Sequence, residues 1–168
     1  MSESGPALWL HIVLADQTLS LMNHDTALRR WPVSTAARGA GERMGSYQTP
    51  RGWHRIRALI GREAPEGAVF VGRRWTGERH TPALGRLHPE RDWILSRILW
   101  LCGSEVGRNR LGTVDTQRRY IYIHGTPDEV PLGIPGSKGC VRMHNADVIE
   151  LFDHCHPGMP VWITENAG

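Results

Sequence analysis

The chain has 168 residues, of which 40% are apolar and 22% are charged, and its net charge is +3. These values are ordinary for a soluble globular protein and predict one domain with a hydrophobic core. No apolar run approaches the roughly 20 residues of a membrane span, so we expect no membrane partner. The arginines are scattered and no nucleic-acid-binding motif occurs, so we expect no nucleic-acid partner either.

The start of the chain and its cysteines bear on the cellular compartment. Residues 1–6 lack a basic segment, and the apolar stretch after them contains His11 and soon meets Asp16, so we expect no signal peptide in a full-length sequence. The three cysteines share no repeated spacing and do not indicate a disulfide framework. We therefore expect a cytoplasmic protein, or a periplasmic one if the start is truncated.

The first third of the chain predicts β-structure. Residues 8–14 are typical of a buried strand, and residues 18–22 alternate as its hairpin partner. Residues 30–34 predict a short strand in which Pro32 favours an edge position. A small, glycine-rich loop follows at residues 36–45. The sequence Thr-Pro-Arg-Gly at residues 49–52 then predicts a turn that enters another strand.

The middle of the chain, about residues 61–117, is a variable insert in this interpretation. Residues 68–71 predict a strand, whereas residues 73–90 are polar, contain several glycines and prolines, and predict a long loop. Residues 92–102 are apolar, and periodicity alone does not decide between strand and helix. Because long loops in compact domains are usually functional or mobile, we expect part of residues 73–90 to line or cover the functional site.

Residues 120–147 carry the strongest functional signal. Residues 120–123 alternate aromatic and β-branched side chains, which predicts a strand with His124 at its end and a turn at Gly125. After a loop rich in proline and glycine, the chain reaches Cys140, and we expect a helix shortly after it, capped by Asn145 or Asp147. Residues 160–164 predict a closing strand.

This arrangement predicts a cysteine nucleophile with a histidine base. A histidine at the end of a strand and a cysteine just before a helix, joined by a stiff loop, can meet in space. Backbone N–H groups and the helix dipole would lower the pKa of the Cys140 thiol. The alternatives are a small buried cysteine and a core histidine with both ring nitrogens satisfied.

The sequence Ile-His-Gly-Thr, followed by Ser-x-Gly-Cys-Val-Arg-Met, resembles the signature of the L,D-transpeptidase catalytic domain family, the YkuD domain. The turn at residues 49–52 and the first strand pair are similar to further elements of that family. Together the resemblance covers roughly residues 7–60 and 118–164. It implies a single catalytic domain over residues 7–164, between tails at residues 1–6 and 165–168. The implied fold is mainly β, a β-sandwich or partly closed barrel with one or two short helices, and favours a strand at residues 92–102.

The resemblance also implies roles for individual residues. In this family the histidine that matches His124 takes the proton of the cysteine, and the backbone carbonyl that matches Gly125 orients the imidazole. The predicted helix start suggests an oxyanion hole made by the N–H groups of Gly139 and Cys140. One departure concerns Lys138, because the family often has histidine at this position.

Three polar side chains of the signature remain candidates for substrate binding. Arg142 offers a planar fork for a substrate carboxylate, and its alternative is a surface charge on the first turn of the helix. Ser137 either donates to the site or caps the turn. Lys138 is a candidate for attracting a carboxylate, since a lysine does not replace histidine in proton transfer at neutral pH unless its pKa is depressed.

The reaction implied by the resemblance is acyl transfer on peptidoglycan stem peptides. Cys140 attacks the bond between the L-centre of the diamino acid and the terminal D-Ala of a tetrapeptide, which leaves a thioester. If water resolves the thioester, the enzyme is an L,D-carboxypeptidase of muropeptide recycling, the choice that the missing signal peptide favours. If the amine of a second stem attacks, it is an L,D-transpeptidase. The family also implies that carbapenems acylate Cys140.

Two functions of other classes stay open at this point. A non-catalytic module that binds peptidoglycan peptides is compatible with the change to Lys138, and a basic nucleic-acid-binding β protein is compatible with the net charge. We expect no metal and no cofactor. Adjacent residues in the sequence His154-Cys155-His156 point in different directions and rarely chelate one ion.

Overall fold

The computed structural model describes residues 7–168. Within this range the chain forms ten strands and two α-helices, and a 3-10 turn spans Gly112–Val114. The strands are β1 (Leu8–Val13), β2 (Thr18–Asn23), β3 (Thr26–Pro32), β4 (Gly52–Ile60), β5 (Ala68–Val71), β6 (Arg74–Arg79), β7 (Ile94–Gly103), β8 (Tyr122–Thr126), β9 (Val141–His144) and β10 (Pro160–Thr164). The helices are α1 (Pro82–Leu87) and α2 (Asn145–Asp153). Neither helix of this range has the length and apolar composition of a membrane span.

The strands form one mixed sheet in the order β3-β2-β1-β10-β4-β7-β5-β6, and β8 joins it by pairing with both β7 and β9. The β1–β10 and β8–β9 pairs are parallel, and the other pairs are antiparallel. Over residues 7–168 the sheet does not close into a barrel. The predicted mainly β fold with short helices is confirmed, as is the edge position of the strand that contains Pro32.

The middle of the chain is more regular than its composition predicts. Residues 94–103 form strand β7, the assignment that the family resemblance favours. The prediction of a long loop over residues 73–90 is wrong, because β6 pairs with β5 and α1 follows. The Thr81 hydroxyl caps α1 by accepting from the Leu84 N–H at 3.0 Å, and Pro82 occupies the first turn. Thr-Pro is an ordinary helix-start signal that the prolines and glycines around it obscured.

The region around Cys140 differs from the prediction in two ways. Cys140 is followed by strand β9, and helix α2 begins only at Asn145, so no helix N-terminus lies at the thiol. The reason is the alternation of Val141 and Met143, both fully buried, which suits a strand paired with β8. His124 lies in the middle of β8 rather than at a strand end.

The core explains how the two ends of the signature are held together. Helix α2 packs on β7, β8 and β9, and Phe152 is buried in a large apolar cluster with Trp31 and Leu99. A smaller cluster forms around Phe70, Ile98 and Tyr122, and the Cys140 side chain packs against it. Because β8 is buried throughout and pairs with β9, whose Val141 and Met143 are buried, the histidine and the cysteine segments are fixed relative to one another.

Candidate active site

Cys140 and His124 border the same cavity, the Cys140 cleft, which has a volume of about 440 Å³. The strand β8 supplies His124, and the residue just before β9 supplies Cys140. The residues that line the Cys140 cleft are Gly72, Arg73, Asp92, Ile94, Arg119, Tyr120, Tyr122, His124, Ser137, Lys138, Cys140 and Arg142. The structure thus brings together the predicted nucleophile, the predicted base and three predicted binding residues.

The His124 ring is held in one orientation by the backbone of the next residue, Gly125. His124 is 1% exposed, and its Nδ1 lies 2.6 Å from the Gly125 carbonyl oxygen. Because a carbonyl only accepts, Nδ1 carries the hydrogen and Nε2 has the free lone pair. Burial lowers the pKa of His124, so the ring is neutral at neutral pH. A neutral imidazole with a free Nε2 is the form that a general base requires.

Gly125 is required by close packing rather than by a turn. A Cβ atom at this position would lie 2.4 Å from the Asn145 Oδ1 and 2.7 Å from the Leu95 carbonyl oxygen. The buried Asn145 side chain approaches this closely because it accepts from Ser96 Oγ at 2.6 Å and donates to the Thr126 carbonyl oxygen at 3.1 Å. The packing of α2 on β8 therefore leaves room only for glycine beside His124.

The Cys140 thiol is a neutral, half-buried group in this structure. Its Sγ lies 3.3 Å from the Tyr122 N–H, which donates to it, and 3.4 Å from the Tyr120 carbonyl oxygen, to which it donates. The hydrogen bonds of residues 7–168 do not include one between this thiol and the His124 ring. Burial raises the pKa of Cys140 to about 11. The expectation of a pKa lowered by a helix dipole is wrong, because the chain continues as a strand.

The loop before Cys140 is braced by Ser137. The buried Ser137 hydroxyl donates to the Cys140 carbonyl oxygen at 2.6 Å and accepts from the Gly139 N–H at 3.1 Å. Thr49, from the turn at residues 49–52, donates its hydroxyl to the Gly139 carbonyl oxygen at 2.9 Å. Of the two alternatives for Ser137, the structure therefore shows the one in which the side chain stabilises the turn.

These contacts change the expected oxyanion hole. The Gly139 N–H is engaged by Ser137, so it is not a free donor in this structure. Gly139 itself has a φ of +131°, and an added Cβ would lie 3.2 Å from the Gln48 carbonyl oxygen. Its glycine identity is explained by this backbone conformation. Of the two predicted donors, the Cys140 N–H is the one that Ser137 leaves available.

Arg142 and Lys138 both border the cleft but differ in how firmly they are held. Arg142 lies on β9, whereas the sequence predicted that it lies on the first turn of a helix. Its guanidinium donates to Asp92 Oδ1 and to the Gly136 carbonyl oxygen, each at 3.2 Å. Lys138 is exposed at the rim of the cleft. Asp128 and Glu129, expected to be solvated loop charges, are exposed and border another cavity.

An aromatic wall beside the thiol went unpredicted. Tyr120 and Tyr122 flank Cys140, and Trp100 packs against both rings. Arg73, at the tip of the β5–β6 hairpin, lies over the Trp100 ring at 4.7 Å and donates to the Tyr122 hydroxyl at 3.2 Å. Of the segment expected to line the site, Arg73 does so.

Two further charged residues of the cleft also went unpredicted. Asp92 pairs with Arg142, and the half-buried Arg119 donates to the carbonyl oxygens of Gly41 and Gln48. Both side chains lie just outside strands, Asp92 before β7 and Arg119 before β8, and no motif marks them; the pairing of β8 with β7 and β9 brings them to Cys140. No cluster of three or more metal-ligating side chains occurs within residues 7–168.

Comparison with known proteins agrees with this geometry. The chain matches the model of the YkuD family, described as the L,D-transpeptidase catalytic domain, over residues 7–163. The YkuD protein of Bacillus subtilis is 53% identical over 34 residues, which are 20% of this chain and 21% of that protein. The YqjB protein of the same organism is 43% identical over 51 residues, 30% of this chain and 29% of that protein.

Solved structures share the fold. An L,D-transpeptidase from Mycobacterium smegmatis aligns over 95% of this chain and 59% of its own, with a TM-score of 0.55 and 16% identity. L,D-transpeptidase 3 from Mycobacterium tuberculosis, solved with a faropenem-derived adduct, aligns over 96% of this chain and 61% of its own, with a TM-score of 0.54 and 15% identity. The chain thus spans about three fifths of these neighbours. With the family match over residues 7–163, the resemblance read from the signature is confirmed, and the chain belongs to the YkuD family of L,D-transpeptidase catalytic domains.

Proposed function

We propose that this protein is a cysteine-dependent acyl transferase that acts on the tetrapeptide stems of peptidoglycan. The observation that carries the proposal is a neutral, oriented His124 in the same cleft as Cys140, with its Nδ1 bound to Gly125 and its Nε2 free for a proton. A histidine placed only to fill a core would have both ring nitrogens engaged. Membership of the YkuD family supports the choice of substrate.

The first half of the reaction forms a thioester. Burial raises the pKa of Cys140 and lowers that of His124, so the resting pair is a thiol and an imidazole rather than an ion pair. The thiol proton moves to Nε2 as Sγ attacks the carbonyl carbon of the L-centre. The imidazolium then protonates the nitrogen of the leaving D-Ala, and the thioester remains. The Cys140 N–H stabilises the developing oxyanion.

Substrate binding relies on cations around the cleft. Arg142 and Lys138 lie at the rim, and Arg73 lies on the opposite wall with its charge over aromatic rings. Stem peptides carry several carboxylates, which guanidinium and ammonium groups bind by charge-assisted hydrogen bonds. Asp92 holds Arg142 in place, so we assign Arg142 to the substrate carboxylate nearest the nucleophile.

The acceptor that we propose is water, which makes the enzyme an L,D-carboxypeptidase that trims tetrapeptides to tripeptides. The cleft of about 440 Å³ has the size of a pocket for one ligand, and a cross-linking enzyme must seat a second stem as well. Its substrates would be muropeptides released from the wall. We place the reaction in the cytoplasm, because Cys102, Cys140 and Cys155 are all free thiols, which suits a reducing compartment.

Carbapenems are expected to acylate the same thiol. One structural neighbour carries a faropenem-derived adduct, and another is solved in complex with imipenem. A β-lactam carbonyl is an acyl donor like the stem peptide, so Cys140 would form an adduct by the same attack. Intact-mass analysis after incubation with imipenem tests this, with the Cys140→Ala variant as the control.

The experiment that tests the proposed function is a mass-spectrometric time course on purified disaccharide tetrapeptide, with and without excess D-Met. The variants are Cys140→Ala and His124→Ala, and the matched control is Cys102→Ala, which removes a thiol outside the cleft. Tripeptide that accumulates even with D-Met present supports water as the acceptor. Exchange of D-Ala for D-Met, or cross-linked dimers, would identify a transpeptidase instead.

The same experiment distinguishes an enzyme from a binding module. No turnover by the wild type, with retained binding of the tetrapeptide, would identify a non-catalytic module and overturn the proposal. Equal turnover in Cys140→Ala would overturn the cysteine mechanism. The rate of Cys140 alkylation tests the raised pKa of the thiol separately. Because only the thiolate reacts, a thiol with a pKa of about 11 should react about tenfold faster for each pH unit between 7 and 10.

A further inference from the structure

A second cavity, of about 640 Å³, lies on the outer face of strands β4 and β7 and shares no lining residue with the Cys140 cleft. We name it the arginine cavity, because four arginines from three segments of the chain converge on it. They are Arg55, Arg57, Arg110 and Arg118. Cys102 of β7 also lines it.

The fold directs these side chains toward one point. Arg55 and Arg57 alternate with buried residues along β4, so both leave the sheet on its outer face. Arg57 is the extra residue of a β-bulge between Ile56 and Ala58. Bulges re-aim side chains and recur next to functional sites. Arg110 and Arg118 flank the loop that closes the other side of the cavity.

The charge of the arginine cavity is not balanced by the protein. Its carboxylate, Asp115, is engaged by backbone N–H groups, since Oδ1 accepts from Leu111 at 2.6 Å and Oδ2 accepts from Arg118 at 2.9 Å. Within residues 7–168, none of the four guanidinium groups forms an ion pair, although that of Arg55 donates to the Gly158 carbonyl oxygen at 2.9 Å. Elsewhere on the surface, arginines such as Arg29, Arg51 and Arg91 each pair with a glutamate.

Unpaired like charges around one cavity repel one another, so the arrangement is costly unless an anion occupies it. The charges of the cavity also act on the thiol of Cys102. Burial raises the pKa of this thiol, and the charges of Arg110, Arg57 and Arg55 lower it. This places the charges around the thiol as well as around the empty volume.

We propose that the arginine cavity binds a small anion that carries two linked phosphate groups, a pyrophosphate. Guanidinium forks match phosphate oxygens in bidentate geometry. Three of them, on Arg57, Arg110 and Arg118, have no hydrogen-bond partner among the described residues, and three forks exceed what a single carboxylate engages. The volume lies within the range of about 300 to 1,000 Å³ that small-molecule sites occupy. This site is independent of the acyl-transfer function, because none of its residues touches the Cys140 cleft.

Thermal unfolding with sodium pyrophosphate tests the proposal. At a hundredfold excess over Kd, we expect the Tm of the wild type to rise by roughly 5 °C relative to NaCl of equal ionic strength. The double variant Arg57→Gln/Arg110→Gln should lose this rise. The matched control, Arg43→Gln/Arg74→Gln, removes two exposed arginines outside the cavity and should keep it.

Protection of Cys102 locates the binding. In the Cys140→Ala background, saturating pyrophosphate should slow iodoacetamide alkylation of Cys102 at least severalfold, as measured by peptide mapping, while the rate at Cys155 stays unchanged. Protection should disappear in the Arg57→Gln/Arg110→Gln background. A Tm rise without protection of Cys102 would mean that the anion binds elsewhere, and it would overturn the assignment to this cavity.

Two other outcomes also contradict the proposal. No pyrophosphate-dependent shift in the wild type, or an equal loss in both double variants, would show that only general charge is at work. Binding to phosphatidylglycerol vesicles without any response to pyrophosphate would identify a lipid surface as the partner. Either result leaves the acyl-transfer function untouched, because turnover of the tetrapeptide is measured separately.

Discussion

Two buried histidines, His54 on β4 and His124 on β8, show how the same side chain serves two purposes. They are 0% and 1% exposed, burial lowers the pKa of both, and each directs Nδ1 at a nearby backbone carbonyl oxygen. In His54 that carbonyl belongs to Gly52, and Nε2 is engaged by the Thr116 hydroxyl at 3.0 Å. In His124 the carbonyl belongs to Gly125, and Nε2 has no partner among the described residues.

The difference teaches that the second ring nitrogen, not burial or pKa, distinguishes a base from a core histidine. Both ring nitrogens of His54 form hydrogen bonds, one of them to the segment that contains Thr116, so neither nitrogen is free to accept a proton. In His124 the hydrogen bond of Nδ1 fixes the orientation of the ring, and Nε2 stays free in a residue that borders the same cavity as Cys140. Four experiments test this difference between the two histidines.

Replacing His124 with alanine should have the largest effect, a loss of about a thousandfold in kcat on the tetrapeptide, because the thiol loses its proton acceptor. The free energy of unfolding should fall less than it does in His54→Ala, because the His124 ring makes one hydrogen bond and the His54 ring makes two. Initial rates and a denaturant titration on the same preparation measure both. Turnover within tenfold of the wild type would remove His124 from the mechanism.

Replacing His54 with alanine should lower the stability of the protein and leave its turnover nearly unchanged. The Thr116 hydroxyl and the Gly52 carbonyl lose their partner and a cavity opens, so we expect a destabilisation of about 3 to 4 kcal/mol. Turnover per folded molecule should stay near the wild-type value. Urea unfolding gives the first quantity, and rates scaled by the folded fraction give the second. A stable but inactive variant would contradict the assignment of His54 to the core.

Acid should unfold the protein partly through His54. Its pKa falls from 6.5 to about 4 on folding, so the unfolded state binds the proton first and stability is lost as the pH drops from 6.5 to 4. This one group accounts for about 3 kcal/mol over that window. Urea titrations at pH 7 and pH 4 should show a smaller difference in His54→Asn, which retains a donor for Gly52. An equal difference would assign the acid sensitivity to other groups.

Replacing Asp92 with asparagine should have the smallest effect, which is seen at His124 in the acidic limb of the pH profile. The carboxylate also holds Arg142 and raises the pKa of Cys140, so KM and the basic limb should respond as well. Asp92 raises the pKa of His124 by its charge, while Arg142 lowers it. Removing the carboxylate should move the acidic limb of the kcat/KM profile to lower pH by less than about one unit. The urea difference attributed to His54 should stay the same. A shift to higher pH would mean that Asp92 does not act through its charge.

The sequence predicts which residues meet in the Cys140 cleft better than it predicts the structure around them. Cys140 and His124 stand in a signature whose spacing suits two adjacent strands, and alternation at Val141 and Met143 was available to show that a strand follows the cysteine. The helix predicted from Asn145 or Asp147 onward is present as α2, but treating Cys140 as lying at its start was wrong, because β9 stands between them. That error led to a lowered thiol pKa, whereas the strand leaves the thiol buried and its pKa raised.

Other features depend on contacts that no local pattern encodes. The need for Gly125 comes from Asn145, twenty positions later, and the engaged Gly139 N–H depends on the rotamer of Ser137. Asp92 reaches Arg142 only because β7 and β9 both flank β8. A sequence pattern describes the direction of a side chain along its own strand, but the neighbours it meets are set by the sheet order.

The position of β10 has a consequence for how the protein is made. This last strand, Pro160–Thr164, lies between β1 and β4 and pairs with both, so it joins the first three strands to the rest of the sheet. During synthesis, β1 and β4 therefore remain open edges until residues 160–164 have left the ribosome. Open edges invite pairing with other chains. Productive folding of this molecule thus depends on synthesis of β10, and termination before residue 160 would release a chain with two open edges that is prone to aggregate.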